Sequence, residues 1–473
     1  MKILLLYPPP TDIRESGTTP ASFPLGLAYI AAILEKAQYN VRAIDLYYKK
    51  WDDIEKIIKD ESPQVVGITC LSFHRTGVFK LIEIIKSVNK GIRIVLGGPH
   101  TAFMYEQILK NYPVDAVVIG EGEQTFLNLI KAWENNISLD NVKGIAFFDG
   151  IKIVKTESAE LIEDLDSIPL PAYHFFDLDS YGSYGADDPV YEGKIIKNLK
   201  FISIVGSRGC VGRCQFCSTS KFWGYKWRTR SPKNIVDEIE YLNKKYHREL
   251  FCFVDDIFTV NKKWVMEICQ EIINRRLDIL WICETRVDMV SETMLKLMKQ
   301  SGCYRISYGV ESASPDILGA INKKASLEQT RQSFQITRNA GITSQMLLMV
   351  GNPGESTETI KMTANLLKEV RPDFFKVSLT KVLPGTALYE LAKSKGMIDD
   401  DYWLSSLSAP IYTAENKLSQ LIKWSDRLLY AGSKGISKII RWLRLFVEEK
   451  TNIRLTRNSI EFLGKDRIIK LIG

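Results

Sequence analysis

The sequence lacks a long apolar run. No stretch approaches the ~20 residues a helix needs to cross a bilayer. The opening Met1-Lys2-Ile3-Leu4-Leu5-Leu6-Tyr7 is too short for a signal-peptide core before it meets Pro8-Pro9-Pro10. Cysteine is sparse and uneven: there are eight in 473 residues, and only Cys70 precedes residue 210. That excludes a secreted disulfide framework. No Gly-x-Gly-x-x-Gly opens the first helix, which argues against a dinucleotide site. One-signed charge is missing from most of the chain as well. Residues 417–473 carry 13 Lys/Arg and 5 Asp/Glu, +8 against a whole-chain +7, so residues 1–416 sum to −1. A near-neutral body gives little support to nucleic-acid binding. With 45% hydrophobic and 25% charged residues, a disordered, collagenous or coiled-coil chain is excluded too. The length predicts two or three domains, and the whole reads as a cytoplasmic protein.

What is present is β-α alternation, twice. Strand-like runs at 2–7, 41–46, 64–71, 92–96 and 114–119 alternate with helical spacing such as Leu27, Ile30, Ala31 and Leu34. This predicts a doubly wound parallel sheet over residues 1–138, with glycines just after the strands, at the edge where such sheets bind ligands. Residues 139–195, with Pro169, Pro171, Gly182, Gly185 and Gly193, read as a linker with a few short strands. A second series follows over residues 196–395. Its strands are expected at 201–205, 250–254, 279–285, 304–308, 343–350 and 374–379, and six β-α units predict a partial (β/α)6 TIM-type barrel. Residues 396–473 read as helical and basic. There Ile436, Ile439, Ile440, Leu443, Phe446 and Val447 share one helical face. Two readings stay open for this tail: a solvated helix docked on the barrel, or an interfacial helix on an anionic membrane or acidic partner.

Cys210, Cys214 and Cys217 follow the first strand of the second series, in the loop Gly206-Ser207-Arg208-Gly209-Cys210-Val211-Gly212. Three thiols this close reach one inorganic centre but cannot all pair as disulfides. Zinc would want a fourth ligand, and His174 and His247 are far away in sequence. A [4Fe–4S] cluster held by three cysteines keeps one iron open for a ligand. Cys252, Cys269, Cys283 and Cys303 read as small core residues.

Cys210-x-x-x-Cys214-x-Phe216-Cys217 resembles the signature of the radical S-adenosylmethionine (radical SAM) enzymes. The resemblance implies that S-adenosylmethionine binds the open iron and is cleaved to a 5′-deoxyadenosyl radical. It also implies S-adenosylmethionine contacts from Phe216 and from the strand ends: Asp255 and Asp256, Glu284 and Arg286, Glu311 and Ser312, and Gly351, Asn352 and Pro353. The first domain resembles the flavodoxin-like cobalamin-binding domain of the B12-dependent branch. The matching segments are Thr69-Cys70-Leu71-Ser72, Gly97-Gly98-Pro99-His100 and Gly120-Glu121-Gly122-Glu123, and the resemblance implies cobalamin contacts from these, Cys70 aside, and from Pro8 and Pro9. A lone Cys70 excludes the methylthiotransferase arrangement, which needs a second cysteine trio. The Asp-x-His-x-x-Gly motif that supplies a lower cobalt ligand in many B12 domains is absent. His74 stands in a superficially similar stretch after the third strand. By this resemblance the chain is a cobalamin-dependent radical SAM enzyme, and C-methylation of an unactivated carbon is the leading reaction. Cyclisation, ring rearrangement or oxidation without methyl transfer is the alternative, and a non-catalytic iron–sulfur redox sensor is the reading from another class. A small-molecule, lipid or peptide substrate and an electron donor such as flavodoxin or ferredoxin are implied.

Overall fold

The structure is a computed structural model describing residues 1–9, 23–181 and 190–433. The chain divides into two compact units. One comprises Met1–Thr285, Met289–Ile306 and Val382–Pro410, and the other Arg286–Asp288, Ser307–Lys381 and the described residues from Ile411 onward.

The first unit begins with strands β1 (Lys2–Tyr7), β2 (Asn40–Asp45), β3 (Val65–Thr69), β4 (Arg93–Gly97) and β5 (Ala116–Val118). They are parallel, in the order β2-β1-β3-β4-β5, the flavodoxin-like winding. Residues Ile3 to Tyr7 of β1 are all buried. A continuous apolar run of this kind suits a strand covered on both faces. Two more strands, β6 (Ile145–Phe148) and β7 (Ile153–Lys155), continue the sheet antiparallel beside β5. These are short strands of the segment read as a linker. They extend the sheet to seven strands and make it mixed, not wholly parallel. Their sequence carries no helix between strands, so the chain can only turn back on itself as a hairpin.

A second parallel series then opens with β8 (Phe201–Ile204). A short antiparallel ribbon, β9 (Ser207–Arg208) and β10 (Arg228–Thr229), brackets the cysteine loop and the helix Thr219–Trp223. The series continues with β11 (Leu250–Phe253) and β12 (Leu280–Thr285), which lie in sequence order beside β8. Phe201, Leu250, Cys252, Leu280, Ile282 and Tyr304 form one buried cluster there. Strand β13 (Cys303–Glu311) gives its first four residues to this unit and the rest to the second. In the second unit it is followed by β14 (Thr343–Val350) and β15 (Phe374–Leu379), again parallel in sequence order. Six strands in chain order match the expected partial barrel. The helix Leu418–Gly432 packs on the helix Thr357–Val370. No helix among the described residues is long and apolar enough to cross a membrane. The amphipathic stretch from Ile436 onward lies outside the described residues.

Candidate active site

Cysteine exposure separates two classes. Cys70, Cys252, Cys269, Cys283 and Cys303 are buried, whereas Cys210, Cys214 and Cys217 are half-exposed on their loop. The Gly212 N–H donates to Cys210 Sγ at 3.3 Å. A Cβ at Gly212 would lie 3.3 Å from that sulfur and 3.9 Å from Cys214 Sγ, so the loop stays narrow where two thiols face it. Among the described residues no three His, Cys, Asp or Glu side chains converge on a single ion. Three free, accessible thiols on one loop are nonetheless a donor set that fits a [4Fe–4S] cluster. Burial pushes the Cys210 thiol up to about 11, with Asp256, Cys217 and Cys214 adding to the effect against the Gly212 N–H. Iron therefore enters with release of protons.

The S-adenosylmethionine candidates fall in both units. In the first, Phe216 is half-buried on the cysteine loop. Asp255 is buried just past β11 and accepts from the Gly206 N–H at 3.1 Å and from Ser207 Oγ. Its carboxylate thus braces the strand before the cysteines. Burial still holds its pKa up, at about 6. Asp256 beside it is exposed, and desolvation by the surrounding protein together with the neighbouring Asp255 raises its pKa to about 7. Glu284 is exposed on β12.

In the second unit Arg286 is paired with Asp288 at 2.9 Å and donates to the Lys324 carbonyl. Glu311 ends β13 with a left-handed φ of 65° and is bound by Lys323 at 3.0 Å. Ser312 is buried against Thr363 and the Ser314 N–H. Gly351, Asn352 and Pro353 follow β14, where Asn352 accepts from Thr380 and donates to Glu355. Nothing in the local sequence marks Glu355. It accepts from the Gly351 N–H and holds this turn together, and burial raises its pKa to about 7. A carboxyl raised on folding stabilises the protein fully below its unfolded pKa, and that contribution is lost as pH rises through the folded value. Stability should therefore fall between about pH 4.5 and pH 7. Denaturant titrations should show Glu355→Gln flattening that slope by on the order of 3 kcal/mol. An unchanged slope would exclude Glu355 as its source.

The cobalamin candidates meet at the carboxyl edge of β3, β4 and β5. Thr69, Gly97, Gly98, Pro99, Gly120, Gly122 and Glu123 line one cavity of about 170 Å³, room for a flat base at the end of a tail and not for a whole cofactor. Gly98 sits at φ 100°, and a Cβ there would come 2.8 Å from the Cys70 carbonyl. Gly120 sits at φ 91° with nothing within 4 Å of where a Cβ would be. This is a cradle that side chains would fill, and it fits the nucleotide tail of cobalamin. Gly98→Ala should cost about 1–3 kcal/mol of strain and weaken cobalamin binding at least 10-fold in an absorbance titration, leaving iron content intact. Unaltered affinity would remove Gly98 from the site.

Pro8, Pro9, Leu71, Ser72, His100 and Glu121 do not line that cavity. His100 is buried, with Nδ1 3.1 Å from Ser72 Oγ and its ring beside Trp403. Burial and Arg75 drive its pKa down to about 3. His74 is also buried, beside Tyr7 and Phe73, and is lowered to about 4. Glu121 turns its carboxylate to Arg208 and Arg228, each at 2.9 Å. Arg208 also binds Glu123, so two arginines and two glutamates form one buried network. Glu121 and the Glu123 carboxylate thus serve as ion-pair partners. Arg208 and Arg228 carry no local signal of this role, because their partners lie about a hundred residues away in sequence, although Arg208 stands two places before Cys210.

A model of the B12 binding domain matches residues 20–130, and one of the Radical SAM superfamily matches residues 204–367. The chain is 31% identical over 461 residues to an uncharacterized methyltransferase of Pyrococcus horikoshii, covering 96% of this chain and 94% of that protein. The chain belongs to the B12-binding radical SAM family. This radical SAM enzyme is also 32% identical over 403 residues to the anaerobic magnesium-protoporphyrin IX monomethyl ester cyclase of Rubrivivax gelatinosus, covering 82% of this chain and 70% of the cyclase. In structure it is similar to the radical S-adenosylmethionine methyltransferase TsrM from Kitasatospora setae, solved with cobalamin and a [4Fe–4S] cluster. That match has a TM-score of 0.68 at 18% identity and covers 84% of this chain and 76% of TsrM. As a family member the protein uses a [4Fe–4S] cluster, S-adenosylmethionine and cobalamin.

Proposed function

We propose that this B12-dependent radical SAM enzyme methylates an unactivated carbon of a small-molecule, lipid or peptide substrate. The supporting observation is that one compact unit holds both the half-exposed cysteine trio and the glycine-cradled cavity, and that the helix leaving the cysteine loop forms part of the cavity wall. When bound, the three cofactors supply a carbon radical and a transferable methyl group, which together reach carbons that cannot act as nucleophiles. The chain's own residues have supporting tasks. Cys210, Cys214 and Cys217 hold the cluster, Asp255 braces the strand before them, and the Arg208 network joins that strand to the loop after β5. Joining these parts in one body serves placement, since a reacting carbon must meet both cofactors in a fixed geometry. The near full-length likeness to a methyltransferase favours this reading.

The likeness to a cyclase favours ring formation without methyl transfer as the second reading. Electrons are taken to come from a flavodoxin or ferredoxin. The test is anaerobic reconstitution with iron, sulfide and cobalamin, reduction by flavodoxin, and mass spectrometry of candidate substrates with methyl-labelled S-adenosylmethionine. Labelled methyl in the product supports methylation. Product without label, formed alongside 5′-deoxyadenosine, transfers the case to cyclisation.

A further inference from the structure

The cavity at the β4 and β5 loops has a wall that the N-terminal sheet does not supply. Phe222 and Trp223, at the end of the helix leaving the cysteine loop, line it and meet edge to face at 4.9 Å and 82°. Two perpendicular rings make an aromatic corner. The Arg208 guanidinium packs over Trp223 at 5.2 Å from the ring centre and is itself held by Glu121 and Glu123, so the indole is braced. The other walls include Ile30, Ile68, Val95, Leu96, Val118 and Phe126. Thr69 and Glu123 supply the polar side chains of the lining, and Glu123 is engaged by Arg208.

Corrinoids share their ring and differ in the planar base that ends the nucleotide tail. We propose that Phe222 and Trp223 make this cavity selective for that base, favouring dimethylbenzimidazole over a purine. The proposal rests on the reading that the cavity takes the nucleotide tail of cobalamin. An aromatic corner offers a face and an edge to a flat base. Apolar walls reward its two methyl groups. A purine would instead bring an exocyclic amine and ring nitrogens out of water into a lining with few partners for them. Discrimination on the scale of a methyl group in an apolar pocket runs at about 10–200-fold.

The test is equilibrium titration of the cluster-loaded protein with three corrinoids: cobalamin, the adenine-based cobamide, and cobinamide, which has no base. Cobalamin should bind at least about 10-fold more tightly than the adenine form, and cobinamide more weakly than cobalamin. Trp223→Ala should bring the ratio of the first two toward one, and Phe222→Leu should lower it while circular dichroism reports an unchanged fold. Equal binding of cobalamin and the adenine form by the unaltered protein overturns the selectivity. A loss of affinity in Trp223→Ala that is equal for all three corrinoids overturns the role of the corner. Cobinamide binding as tightly as cobalamin would instead show that the tail lies elsewhere, which defeats the cavity assignment itself.

Discussion

Cys214→Ala protein, prepared without oxygen, is expected to lose its iron–sulfur absorbance and all 5′-deoxyadenosine formation. Cys269→Ala should keep both. The contrast follows from position. Cys214 is half-exposed on a loop with Cys210 and Cys217, and Cys269 is buried in the helix Lys262–Asn274. Removing a thiol from a cluster with only three protein donors leaves two irons without protein ligands, and the cube then has no stable seat. Removing a buried sulfur from a helix costs packing on the order of 1 kcal/mol and no chemistry. Iron and sulfide assays with a single-turnover measurement decide it. Full iron in Cys214→Ala would sink the cluster assignment, and iron loss in Cys269→Ala would show that the assay reports folding.

Arg208→Met should be among the most destabilising substitutions in the first unit. Arg208 binds Glu121 and Glu123 with its side chain only 5% exposed. Without it, Glu123 loses its bound cation, and Glu121 keeps Arg228. Breaking a buried pair from one side costs about 3–5 kcal/mol, because the surviving charge stays out of water. Adding Glu123→Gln to Arg208→Met removes that stranded charge and should restore a large part of the loss. Arg208→Lys keeps the charge but not the two-pronged geometry, and should fall between the two. Urea unfolding of the four proteins forms a double-mutant cycle with an extra lysine variant. Additive losses for Arg208→Met and Glu123→Gln would mean the ion pair carries no coupling.

The sequence made the sheets legible because β-α alternation is local. The runs at 2–7 and 92–96 are apolar and short, and they form β1 and β4 almost residue for residue. The cysteine trio was legible for the same reason, since its chemistry lies within eight positions. The antiparallel β6 and β7 look like linker strands in sequence, because joining the edge of the sheet beside β5 leaves no local mark. The buried arginine network is further from reach still. Nothing at Arg208 announces Glu121 and Glu123, and nothing at Asp255 announces the bonds it accepts from Gly206 and Ser207. At Glu355 the carboxylate serves its own turn, which only three-dimensional burial reveals.

Trp403 carries a consequence for biosynthesis. It is wholly buried, with His100 beside it and Arg75 stacked over its ring and bound to its carbonyl. The residues it covers are made some three hundred codons earlier. A nascent chain can pair β1 to β5 as they emerge, but it must leave His100 and Arg75 uncovered until translation has passed Pro410. Messages cut short before that point would release a polypeptide with a ready sheet but with His100 and Arg75 left bare, an unfinished packing of the kind that invites aggregation and proteolysis.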